Sequence, residues 1–318
     1  MARGTVLITG ATGFIGGALL TSLGARGWDI AGATRSAHPL AGWRRAPELD
    51  ARADWSPLVE GCAAVVHAAA RVHVMRETAS DSLAEFRRVN VDGTLALARH
   101  AARAGVRRFV FLSSVKVNGE ETTPGRPFCH DDVPAPVDPY GISKLEAERG
   151  LRDLEAETGM EVVVIRPPLV YGPGVKANFR RMMRWVSRGV PLPFGAIRNK
   201  RSLVALDNLV DLVGTCLEHQ AAAGEVFLVS DGEDLSTPEL LERVGRALGR
   251  PPRLVPVPGT LLRLGARLVG NSDLARRLCG SLQVDVSRTC RLLGWRPPVG
   301  VDEALARTAR YFLEHDAA

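Results

Sequence analysis

The first thirty residues constrain the fold more than any other part of the chain. Thr5-Val6-Leu7-Ile8-Thr9 is a short, β-branched, apolar run that stops at Gly10, the composition of a strand covered on both faces. Ala11-Thr12-Gly13-Phe14-Ile15-Gly16 follows, and then residues 17–23 at helical spacing, ending at Gly27. Strand, glycine turn and helix in that order open a βαβ unit, and such units build parallel sheets with helices on both faces.

The alternation continues. Strands are predicted at 30–34, 64–67, 109–112 and 162–165, with helices over about 80–104 and 139–158. Beyond Arg166 the pattern loosens at Pro167, Pro168, Pro173, Pro191 and Pro193; helices recur near 177–187, 207–219 and 237–248. A basic amphipathic segment covers 260–278, and a last helix covers 301–313. The expected fold is α/β: a doubly wound parallel sheet over 1–170 and a smaller, mixed α/β domain over 171–318. A strand at 226–229 is expected to return to the first sheet.

Gly10-x-x-Gly13-x-x-Gly16 lies at the first strand–helix junction. A dinucleotide pyrophosphate needs a tight turn there, close backbone approach and the N–H groups of a helix N-terminus. An acidic residue ending the second strand would hold the ribose hydroxyls of NAD. This chain instead has Thr34-Arg35-Ser36, and a guanidinium suits the 2′-phosphate of NADP. NADP(H) is therefore favoured, with NAD(H) as the alternative.

Tyr140 and Lys144 are four residues apart on a predicted helix, so phenol and ammonium share a face. The ammonium is expected to lower the phenol's pKa toward neutrality and make it an acid or base. Ser113-Ser114 ends the fourth strand, where a hydroxyl can bond the same substrate oxygen. His67, closing the third strand within an apolar run, reads as a packed structural histidine. His73 follows in a loop that could reach a substrate.

Charge and cysteine usage narrow the class. There are 41 Lys and Arg against 35 Asp and Glu, and only Lys116, Lys144, Lys176 and Lys200 are lysines. The sequence pI is near 9.4, but the basic residues are scattered singly and in pairs among acidic ones, so nucleic acid is not an expected partner. Five cysteines without CxxC spacing indicate neither zinc nor disulfides, and Cys129-His130-Asp131-Asp132 reads as a surface loop; no metal is expected. No apolar stretch reaches the ~18 residues of a membrane span. A reduced, cytoplasmic, soluble protein is expected.

Thr9–Gly16, His67-Ala68-Ala69-Ala70, Asn90-Val91-Asp92-Gly93-Thr94, Leu112-Ser113-Ser114, Tyr140-x-x-x-Lys144 and Arg166-Pro167-x-x-x-Tyr171-Gly172-Pro173-Gly174 occur in that order. Together they resemble the extended short-chain dehydrogenase/reductases. Leu293-Gly294-Trp295-Arg296-Pro297 is similar to that family's C-terminal motif. Within it the chain looks most like the branch acting on nucleotide-linked sugars. The run from Leu112 to Glu120 resembles O-antigen hexulose 4-reductases related to N-acetylquinovosamine synthesis.

The resemblance implies roles for matching positions. Ser114, five residues before Gly119, would be the active-site hydroxyl rather than Ser113; Tyr140 would be the proton donor, and Lys144 would hold the nicotinamide ribose. Cofactor contacts are implied for Gly10, Thr12, Gly13, Phe14, Ile15, Gly16, Thr34, Arg35, Ala68, Ala69, Ala70, Asn90 and Pro167. Ser114, Lys116, Asn178, Arg201 and Arg277 are implied around the sugar nucleotide, with Asn178 and Arg201 at its diphosphate; Arg276 is a looser candidate.

Dehydratases of the family carry Thr-Asp-Glu where this chain has Ser114-Val115-Lys116, so dehydration is not expected. The reaction the resemblance implies is hydride transfer at C4 of a nucleotide-linked, UDP-type hexose: reduction of a 4-keto-6-deoxy sugar for surface polysaccharide, or alternatively 4-epimerisation with retained NAD. Cofactor-sensing relatives that do not catalyse commonly lack the Tyr and Lys found here. Related enzymes dimerise through the Tyr-bearing helix and the long segment before it, so a homodimer is expected.

Overall fold

The structure is a computed structural model that describes residues 3–35, 42–72, 81–123, 125–268 and 278–316. Seven strands form one parallel sheet. They are β1 (Thr5–Thr9), β2 (Asp29–Thr34), β3 (Trp43–Arg45), β4 (Cys62–His67), β5 (Arg108–Leu112), β6 (Glu161–Arg166) and β9 (Val226–Leu228). Their order is β3-β2-β1-β4-β5-β6-β9. The chain winds outward in one direction from β1 to β3 and in the other from β4, and the reversal between β1 and β4 opens a crevice at the strands' carboxyl ends.

Alternation along each strand covers both faces of the sheet. Val6, Ile8, Val66, Val110, Leu112, Val163 and Ile165 point to one side, packed with α1 (Phe14–Ala25) and α7 (Leu206–Glu218). Leu7, Val65, Phe109, Phe111, Val162 and Val164 face the other. There they meet α2 (Ser56–Val59), α4 (Gly93–Arg103) and α5 (Pro139–Thr158). Arg108 is fully buried on β5 and is stabilised by pairing with Glu161 and donating to the carbonyls of Cys216 and His219 at the end of α7. A guanidinium placed there complements the negative end of the helix.

The segment predicted as one helix over 80–104 is divided. α3 (Ser82–Arg87) passes through a π-helical turn at Arg88–Asp92 before α4 begins. Gly93 fits there because a Cβ would come within 2.7 Å of the Leu49 backbone carbon. Turns of this kind re-aim side chains and are frequent at functional sites. The short β3 and α2 were not anticipated either.

A second, three-stranded sheet joins β7 (Leu169–Tyr171), β8 (Arg201–Ala205) and β10 (Asp234–Leu235) in the order β10-β8-β7. Around it α6 (Ala177–Ser187), α8 (Thr237–Ala247) and the last helix, Val301–His315, bury Tyr171, Phe179, Met183, Leu203, Leu241 and Phe312 in a separate core. α9 (Gly259–Leu268) and α10 (Ser287–Leu293) complete the described helices, which makes the last helix α11. No helix among the described residues is long and apolar enough to cross a membrane.

Candidate active site

The crevice is a cleft of about 490 Å³ lined by Thr9, Gly10, Thr12 and Gly13 on one side and Ala68, Ala69, Ala70 and Arg71 on the other, with Thr34, Arg35 and Glu48 at its far end. Its floor needs glycine. Gly10 has φ +68°, and a Cβ on it would lie 2.8 Å from Ala69 N; one on Gly16 would lie 2.1 Å from the Gly10 carbonyl oxygen. Gly13 caps α1 without a side-chain hydrogen bond, and no acidic residue lies in the first turn. A backbone cradle at an uncapped helix N-terminus fits a dinucleotide pyrophosphate.

The other implied cofactor residues are arranged less uniformly. Phe14 and Ile15 pack their side chains against the sheet core. Thr34 is buried and Arg35 exposed on the cleft wall. Pro167 is buried, and its carbonyl accepts from Val115 N at 3.0 Å. Asn90, 1% exposed, bonds both backbone groups of Arg71 and donates to Ser143 Oγ at 3.0 Å. It thereby ties the cleft wall to α5.

Three sequence-predicted groups meet at the end of β5. Asp138 caps α5 by accepting from Gly141 N at 2.7 Å, Pro139 opens the helix, and Tyr140 follows it. Pro is preorganised for that first position. The Tyr140 phenol hydrogen-bonds Ser114. Lys144, one turn on and 2% exposed, donates to Leu112 O at 2.9 Å and lies 5.9 Å from the Tyr140 ring centroid. Ser113 points away, 4% exposed and bonded to Glu148.

The electrostatics differ from the expectation that Lys144 draws the phenol toward neutrality. Burial, and then the Asp138 carboxylate, push the Tyr140 phenol well above its usual range, with the Ser114 hydrogen bond opposing. Burial likewise lowers Lys144 to about 7, opposed by Glu148. Each group is desolvated by the same wall, so each favours its neutral form. The phenol is held protonated here, ready to give a proton; to take one from a hydroxyl it must first be ionised.

His67 is fully buried between Thr9 Oγ1 at 2.7 Å and Thr94 Oγ1 at 3.0 Å, and burial lowers it to about 3. Both ring nitrogens are engaged, so it is a structural, neutral histidine. His73, Arg276 and Arg277 lie outside the described residues. Asn178 is exposed in the first turn of α6. Arg201 opens β8 and donates to Gly280 O at 3.0 Å; Gly280 in turn lines a second depression of about 530 Å³ together with Thr122, Ile197, Asn199 and Thr260. Lys116 pairs with Asp138 and Glu120. The Cys129 thiol lies within 4.8 Å of the Asp131 and Asp132 carboxylates, both of them exposed.

Sequence reading missed the support behind the site. Arg166 forks onto Glu148 at 2.6 and 3.0 Å, and its other nitrogen bonds Asn118 Oδ1 at 3.1 Å, all three being buried. Glu148 also holds Ser113, so this network fixes the end of β5 against α5. One signal was available: Glu148 is four residues past Lys144, on the same helical face.

The profile of the NAD dependent epimerase/dehydratase family matches residues 6–230, and the chain belongs to that family, among its nucleotide-sugar epimerases and reductases. It is 47% identical over 314 residues to a UDP-glucose 4-epimerase of Vibrio cholerae, covering 98% of this chain and 96% of the relative. MoeE5 in complex with UDP-glucose and NAD superposes with a TM-score of 0.78 at 26% identity, over 98% of this chain and 99% of that one. A UDP-N-acetylglucosamine 4-epimerase of Bacillus cereus shares the fold, with a TM-score of 0.79 at 20% identity over 97% and 99%.

Proposed function

We propose that the protein inverts C4 of a UDP-linked hexose with a retained NAD. The hydrogen-bonded Ser114 and Tyr140 hydroxyls beside buried Lys144 carry this reading, and the 47% identity to a 4-epimerase supports it over the 4-ketoreductase favoured by the sequence alone. The Gly10–Gly16 turn would hold the pyrophosphate, Ala68 to Ala70 the opposite edge of the cofactor, and Lys144 the nicotinamide ribose. When bound there, a nicotinamide dinucleotide supplies the acceptor and donor of hydride for C4.

The chain's own residues manage the oxygen. As C4 passes from alcohol to ketone, Tyr140 Oη, ionised for this step, takes the proton from the C4 hydroxyl oxygen, and the resulting phenol returns it when the ketone is reduced. Ser114 Oγ orients and polarises that oxygen as an oxyanion donor does. Lys144 offsets negative charge that develops on the phenol. Asn178 and Arg201 would contact the diphosphate. Val115 and Lys116 supply no carboxylate at the end of β5, which leaves water elimination without its acid and base. A homodimer through α5 and the preceding α3–α4 segment, acting in the cytoplasm, completes the proposal.

The 4-ketoreductase with NADP(H) remains as a second reading because of Arg35, exposed on the cleft wall where β2 ends without a carboxylate. Purified protein separates the two. Stoichiometric bound NAD and conversion of UDP-glucose to UDP-galactose without added cofactor are expected. Cofactor-free protein that consumes NADPH only with a 4-keto sugar would establish the reductase instead.

A further inference from the structure

The ammonium of Lys116 pairs with Asp138 Oδ2 and lies 3.5 Å from Glu120 Oε1; the two carboxyl-bearing side chains are 16% and 13% exposed. Each partner of the Lys116–Asp138 pair bonds a turn that carries one of the proposed catalytic hydroxyls. Lys116 N donates to Ser114 Oγ at 3.3 Å. Asp138 spends its other oxygen on Gly141 N, capping the helix turn that presents Tyr140. The two backbones also touch: a Cβ on Gly141 would be 2.9 Å from the Lys116 carbonyl oxygen, and Ala135 N donates to Val117 O at 3.0 Å.

We propose that Lys116 is a positioning residue whose ion pair with Asp138 clasps the Ser114 turn onto the first turn of α5, fixing Ser114 against Tyr140 and neutralising the charge beside the phenol. This rests on Ser114 and Tyr140 being the catalytic pair. A lysine that binds substrate would keep its ammonium for the ligand, whereas here two carboxylates of the chain already engage it.

The clasp has an electrostatic consequence. Asp138 opposes ionisation of the phenol, and a cation on that carboxylate offsets the effect. The other groups facing the phenol are the Ser114 hydroxyl, Lys144 on the same helix and, from α3, the edge of Phe86 at 6.2 Å. Arg71 lies 5.6 Å from the Phe86 ring centroid. Removing the Lys116 charge leaves Asp138 and Glu120 uncompensated, so the phenol becomes harder to ionise.

The test compares Lys116→Met, Lys116→Arg, Asp138→Asn, the Lys116→Met/Asp138→Asn double variant and Tyr140→Phe in the full-length protein. It follows kcat and KM for UDP-glucose across pH, with bound NAD and the thermal midpoint as controls. Asn is itself a good helix cap, so Asp138→Asn removes charge while keeping the turn. Lys116→Met should lower kcat about tenfold with KM changed less than about twofold, as expected of a misplaced catalytic pair. Its acidic limb of kcat/KM for UDP-glucose, which reports the phenol giving up its proton so that it can act as base, should rise by about half to one pH unit, while Asp138→Asn moves that limb down. The double variant should return toward the wild-type limb, and Lys116→Arg should restore rate. A raised KM at unchanged kcat would place the ammonium on substrate and overturn the clasp, as would an unmoved pH limb. Turnover by Tyr140→Phe would instead remove the catalytic pair itself; an inactive Tyr140→Phe beside a wild-type-like Lys116→Met removes only the clasp.

Discussion

Burial decides the protonation of the residues at the end of β5, and Lys144 shows how that bears on stability. An ammonium lowered to about 7 in the fold and near 10.5 when unfolded binds fewer protons folded than unfolded between those values. Stability from this group therefore rises as pH rises from about 7 toward 10.5 and is level below 7. Wild-type protein should gain on Lys144→Met in urea midpoint between pH 7 and pH 9.5; a constant gap would mean the amine is solvated. Arg35 is a separate matter of binding. If it meets a 2′-phosphate, Arg35→Ala should weaken NADPH binding about ten- to hundredfold, the worth of a charge-assisted hydrogen bond, and leave NADH within about twofold. Equal NADPH binding by nicotinamide fluorescence would make it a solvated arginine. At this scale the sequence anticipated which side chains come together: Tyr140, Lys144 and Ser114 meet, and His67 is packed. It did not reveal partners. Lys116 read as a substrate contact because Asp138 is 22 residues away, and only the fold brings the two together.

Elements were legible where periodicity is strong and local. The predicted strands at 30–34, 64–67, 109–112 and 162–165 and the helix over 139–158 all form, because each carries a continuous apolar run or face. The divided helix over 80–104 was not legible, since a π-helical turn keeps nearly the same apolar spacing while inserting a residue. In the small second sheet β7 and β10 were hidden because strands of three and two residues have no period to detect. The glycine turn was the most readable feature, and its prediction is correspondingly sharp. Gly16→Ala would set a methyl 2.1 Å from the Gly10 carbonyl oxygen, and backbone cannot move aside as a side-chain end can. Overpacking of this kind costs about 1–3 kcal/mol, and here it displaces the cradle itself. Bound NAD should be lost on purification while circular dichroism still shows the α/β fold. Retention of stoichiometric NAD would show that the turn is not the pyrophosphate site.

The two cores are joined by one polar network that no local pattern announces. Asp231 accepts from Tyr171 OH at 2.8 Å, Ala205 N at 2.7 Å and Asn208 Nδ2 at 2.7 Å, across separations of 60, 26 and 23 residues. Asn208 continues to Val299, exchanging hydrogen bonds with its N–H and carbonyl at 2.9 and 2.8 Å. The end of β7, the start of α7 and the approach to α11 thus converge on one carboxylate. Burial raises its pKa, with the three donors opposing. Asp231→Ala leaves those donors without their acceptor and should cost about 2–4 kcal/mol at pH 7. Asp231→Asn separates charge from bonding. A carboxyl whose folded pKa is raised takes up its proton in the fold before the unfolded chain does, so its contribution is greatest at low pH and is lost as pH rises through the folded value. The wild-type protein should therefore gain in urea midpoint on Asp231→Asn as pH falls from 7 toward the ordinary carboxylate range. A gap independent of pH over that window would show that the junction tolerates the charge without cost, and that the three donors alone fix β7 and α7 together.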